Sequence, residues 1–146
     1  MLKSLSILLL ACAALPAAEP LAGTWVLQSQ QVNGRDTPSP PLTLRIAQSG
    51  GRLQFEYAAK DSVRFDARLD GSPAEVTSST GRKMGTARVT RDGPLQYRVT
   101  LEGPNRPTSN GRLTLSRGSK TLTSESDALA PGGQRLHTVQ VFERRD

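Results

Sequence analysis

Apolar and polar residues alternate with a period of two in one short run after another along this chain. In LTLRIA, Leu42, Leu44 and Ile46 share one side and Thr43 and Arg45 the other. RLQFEY sets Leu53, Phe55 and Tyr57 against Arg52, Gln54 and Glu56. SVRFDARLD repeats the arrangement with Val63, Phe65, Ala67 and Leu69, and LQYRVTLE with Leu95, Tyr97, Val99 and Leu101. Successive side chains of an extended chain point to opposite faces, so each run predicts a strand with one side on a core and the other in water. No segment carries the apolar spacing of a helix.

Between the runs lie SGG at 49–51, DGSP at 70–73, STGRK at 79–83, RDG at 91–93, GPNRPTSNG at 103–111, RGSK at 117–120 and APGG at 130–133. Glycine supplies positive φ at little cost, and proline removes a donor that a ladder needs, so these are turns. They delimit nine or ten strands between Trp25 and the LHTVQVFER ending. The expectation is an all-β, antiparallel, up-and-down barrel of about 8–10 strands, filling 19–146 as a single domain. A meander with one oily face hides it by stacking two layers or by closing on itself. Closure also removes unpaired edges, and short hairpin links favour it over a Greek key.

The opening, MLKSLSILLLACAALPAAEP, places one lysine before an apolar run from Leu5 to about Leu15, followed by small residues. That layout predicts an export signal over 1–18 and falls short of a membrane span, which needs roughly 20 apolar residues. Two endings are open. Cleavage after Ala18 frees the mature chain into the periplasm or the medium. In the alternative, Cys12, which follows LLLA and resembles the cysteine of a bacterial lipoprotein signal, becomes a lipid anchor. Cys12 is the only cysteine. The folded domain therefore has no thiol for redox chemistry, nucleophilic catalysis or a disulfide.

GTWVLQ, Gly23 to Gln28, holds the only tryptophan, at the start of the first expected strand. It resembles the G-x-W opening of the lipocalins and the wider calycin group. The order of GTW, a DG turn before PAEV, GSKTLT and VFER is similar to that of small secreted bacterial lipocalin-like proteins with no assigned function, over residues 21–145. The resemblance implies that Trp25 plugs one barrel end and that Arg144 or Arg145 packs across it. An indole buries roughly 150–250 Å², and a guanidinium on its face adds about 0.5–2 kcal/mol. Neither the lipocalin C-terminal helix nor the two-helix lid of fatty-acid-binding proteins has a counterpart here, since NGRDTPSPP at 33–41 is too short and too proline-rich.

Charge and chemistry narrow the function. The formal net charge is +6, but the basic residues are interleaved with Asp and Glu along the whole chain, as on a solvated surface. Aromatic residues on the wet faces, which a single-stranded nucleic acid would stack on, are absent, so no nucleic-acid partner is expected. His137 is the only histidine. With no cysteine beside it, zinc, haem and copper sites lack ligands, and neither a metal nor a cofactor is expected. No serine sits in a G-x-S-x-G elbow, and the acids alternate outward beside arginines, as Asp66 does between Arg64 and Arg68. No catalytic residue is nominated.

What remains is the inward face. Phe55, Tyr57, Phe65, Tyr97, Val99 and Phe142 are the candidate lining of a small apolar pocket, with the Tyr57 and Tyr97 hydroxyls near its mouth as orienting groups. The plainer reading makes the same residues an ordinary core. The expected function is non-enzymatic binding of a small apolar or amphiphilic ligand by an exported protein. The alternative is an envelope interaction or scaffold protein with a filled barrel and an arginine-rich outer face. The volume inside the barrel separates the two.

Overall fold

The computed structural model describes residues 19–104 and 106–146, the side chains of 106 and 107 excepted. The expected signal, 1–18, and the alternative lipidation site Cys12 lie outside the described residues. Each alternating run is a strand: β1 (Gly23–Val32), β2 (Arg35–Thr37), β3 (Thr43–Ser49), β4 (Arg52–Ala58), β5 (Val63–Arg68) and β6 (Ala74–Ser78) are followed by β7 (Lys83–Gly93), β8 (Gln96–Gly103), β9 (Arg106–Leu115), β10 (Thr121–Leu129) and β11 (Arg135–Arg144). Among the described residues there is no helix.

From β3 onward each strand pairs antiparallel with its successor, and β11 returns to β1 with Trp25 opposite Arg144 and Leu27 opposite Phe142. Ten strands thereby close into an up-and-down barrel, at the top of the expected range. The eleventh strand is β2, which lies in the NGRDTPSPP segment, too proline-rich for a helix. Asn33 and Gly34 both have positive φ, the requirement of a two-residue type I′ turn, and they fold β2 back on the last three residues of β1. β1 is therefore shared: its first half pairs with β3, its second with β2.

Gln28 is an extra residue in β1, where the register against β11 shifts between Leu27 and Ser29. The bulge keeps Leu27 and Gln30 both facing the interior despite their odd spacing. A second irregularity lies between β5 and β6, which pair only at Val63–Ser78 and Arg64–Thr77. Below that point the chain after β5 crosses to β7, where the Gly71 amide donates to the Val89 carbonyl and the Arg91 amide to that of Leu69. Phe65, Ala67, Ala74 and Val76, all buried, fill the resulting seam from within.

The turns at 50–51, 71–73, 94–95 and 116–120 gather at one end of the barrel with the start of β1. Those at 33–34, 59–62, 79–82 and 130–134 gather at the other. Buried apolar side chains crowd the first end and thin out toward the second.

Candidate ligand-binding site

The closed end is built around Trp25, which is fully buried and donates its indole N–H to the Leu21 carbonyl at 3.0 Å. The Arg144 guanidinium lies over the ring, 4.3 Å from its centroid. Its three nitrogens donate to the carbonyls of Ser119, Ala22 and Pro20 at 2.7, 2.8 and 2.8 Å. One side chain thus ties together the N-terminal segment, the β9–β10 turn and the last strand. Arg145, the other candidate for this position, points outward and pairs with Glu143. Gly23 explains the first letter of the G-x-W motif. Its φ is +151°, and a Cβ there would overlap Arg144 Nη1.

Tyr97 belongs to this end and not to the mouth, where its hydroxyl was expected. It is fully buried and donates to Glu19, whose other carboxylate oxygen accepts from Arg91 at 3.1 Å. Glu19 is a carboxylate turned into the floor, with its side chain 9% exposed. Sequence reasoning missed it because it precedes the first alternating run. Phe142 and Phe55 also sit in the packed interior, Phe142 beside Leu27 and Leu122 and Phe55 stacked on Phe65 with centroids 4.7 Å apart. These three rings are packed against core neighbours and do not line the spaces of the mouth half.

Toward the other end the filling gives out. A cavity of about 390 Å³ opens at the mouth, walled by Leu42, Tyr57, Val63, Phe65, Met84 and Leu101, with Asp61 and Glu102 at its rim. A second space of about 130 Å³ shares Tyr57, Leu101 and Ser109 with it and reaches across to β10 and β11. Its wall is different, since Ser124, Ser126 and Gln140 face it beside Val99 and Gly111. Gln140 donates to the Gln30 side chain at 2.7 Å, and Gln30 to the Thr37 hydroxyl at 3.1 Å, so an amide ladder lines this side.

Of the six expected lining residues, Tyr57, Phe65 and Val99 face these spaces. Tyr57 borders both spaces, and burial pushes its pKa up to about 12 by disfavouring the phenolate. Sequence reasoning missed the polar wall because serine, glycine and glutamine on an inward face look like solvent-facing residues. One signal was present: Leu122, Ser124 and Ser126 keep one phase, as do Ser109, Gly111, Leu113 and Leu115. His137 faces outward and meets Asp127 at 2.8 Å on the outer surface, away from the cavity.

No family model and no curated protein matches the chain. Its shape does have counterparts. The zebrafish ileal bile acid-binding protein, solved with cholic acid, matches over 86% of this chain and 99% of its own, with a TM-score of 0.60 and 18% identity. A protein described as the REP1-NXSQ fatty acid transporter matches over 88% and 98%, with a TM-score of 0.63 and 16% identity. The fold is a calycin-type barrel. Here the mouth carries the β1–β2 hairpin over residues 23–37, and the described residues include no helical lid.

Proposed function

We propose that this chain is a non-enzymatic binding protein that holds a small apolar or amphiphilic molecule in the mouth half of its barrel. The observation that carries this reading is the contrast between the two halves. One end is packed around Trp25, while the other keeps an apolar-walled space of about 390 Å³, within the roughly 300–1,000 Å³ of ligand pockets. A wholly filled barrel, as a scaffold would have, leaves no such space. The neighbours' ligands, a fatty acid and cholic acid by their descriptions, support the same use of the interior. The driving force is desolvation, about 0.8 kcal/mol for each methylene that leaves water. Export is part of the proposal and rests on the 1–18 pattern.

The test is fluorescence enhancement of the neutral apolar probe N-phenylnaphthylamine by the purified protein. Val63→Trp should fill the cavity from β5 and weaken binding by about tenfold or more, whereas Val141→Trp, on the outer face of β11, should leave it unchanged. Absence of binding, or binding that ignores Val63→Trp in a variant with an unaltered circular dichroism spectrum, overturns the proposal.

A further inference from the structure

The charges inside the barrel are placed so as to choose the ligand's head group, given the binding role proposed above. Two arginines of the described residues meet the closed end, Arg144 half-buried across it and Arg91 largely exposed at its edge, and both are committed. Arg144 is stacked on Trp25 and bonded to three carbonyls. Arg91 is held by Glu19 and by the carbonyls of Gly93 and Pro94. Among the described residues, the charged ones lining the two spaces of the mouth half are Asp61 and Glu102 at the rim and Arg112, whose exposed side chain lies on the outer register opposite Arg98, while Lys60 and Arg82 are exposed in the neighbouring turns. Arg35 is exposed at the tip of the β1–β2 hairpin. The walls themselves offer neutral groups: the Tyr57 hydroxyl, Ser124, Ser126 and the Gln140 amide, which already donates to Gln30 and keeps its carbonyl as an acceptor.

A carboxylate drawn into this interior would lose its water and, among the described residues, meet no inward-facing cation on either wall; the cations of the mouth, Arg35, Lys60 and Arg82, are exposed on the outer turns beside the rim acids Asp61 and Glu102. Burying an ion without a partner costs far more than burying a hydroxyl or an amide that is hydrogen-bonded. We infer that the barrel takes an uncharged amphiphile of the long-chain alcohol or amide class and discriminates against the corresponding carboxylate. The hydrocarbon lies against Phe65, Val76 and Leu101, and the head group exchanges hydrogen bonds with Ser124, Ser126 and Gln140.

The experiment is displacement of bound N-phenylnaphthylamine by dodecanol, dodecanamide and dodecanoate at about pH 8, where the acid is fully ionised. The alcohol and the amide should displace the probe at concentrations about tenfold or more below the carboxylate. Ser126→Lys, at a half-buried position on the polar wall, should reverse the order by supplying the missing cation. Equal or tighter binding of dodecanoate by the natural chain overturns the inference, as does probe displacement by none of the three. In both cases probe binding itself still supports the binding role. Failure of the probe to bind at all is the outcome that removes that role, and the inference with it.

Discussion

At the scale of single residues, the closed end depends on Gly23 having no side chain. Arg144 Nη1 occupies the place a Cβ would take, and φ is +151°. Gly23→Ala must therefore move the guanidinium off Trp25 or strain the backbone, and we expect a loss of roughly 1–3 kcal/mol, read as a lower urea midpoint. An unchanged midpoint would show that the Arg144 contact contributes nothing. Tyr57 gives a second handle. Its pKa of about 12 lies above the ordinary value of 10.0 because burial disfavours the phenolate. The unfolded chain loses this proton first as pH rises, so the contribution of Tyr57 is fully present below pH 10 and is lost between about 10 and 12. An ultraviolet titration of the protein minus that of Tyr57→Phe isolates the phenol. A midpoint near 10 would mean that the ring is solvated and not enclosed between the two walls.

At the scale of the strand, the alternation made most of this barrel legible. Runs such as RLQFEY and SVRFDARLD carry apolar side chains on every inward position, so the inward face was assigned correctly from Leu53 to Leu69, but the expected turn GPNRPTSNG is strand from Arg106 onward, with Gly111 paired to Val99 and Ser126 inside the sheet. Legibility failed where the inward residues are small or polar. β9 and β10 line the cavity with Ser109, Gly111, Ser124 and Ser126, and binary pattern alone cannot distinguish these from a wet face. It failed again at β2, whose three residues rest on local turn chemistry at Asn33–Gly34 and not on periodicity. The site was legible to the extent that its apolar wall was. The depth of each ring was not, because depth depends on strand register, and register placed Tyr97 at the floor and Tyr57 near the mouth. The β5–β6 seam carries its own prediction. With only two residue pairs joining these strands, their seam-facing amides should exchange with deuterium about tenfold or more faster than the amides of β10 that face β11. Equal protection would contradict the seam.

At the scale of the whole molecule, the barrel is an unequal container. Strand closure through β11 and β1 removes every long edge, and the N-terminal segment from Glu19 to Ala22 seals the floor through Leu21, Glu19 and the carbonyls that Arg144 holds. This rigid end needs no ligand to complete it. The mouth end keeps apolar side chains on β4 to β8 but fills the inward positions of β9 to β11 with short or polar residues, and space is left over. Methyl-resolved NMR during titration with dodecanol tests that division most directly. The account predicts shifts and ligand contacts at Leu42, Val63, Val76, Met84 and Leu101, with Leu44, Ile46, Leu53 and Leu122 unmoved. Contacts at the second group, or saturation with no shift in the first, would contradict it.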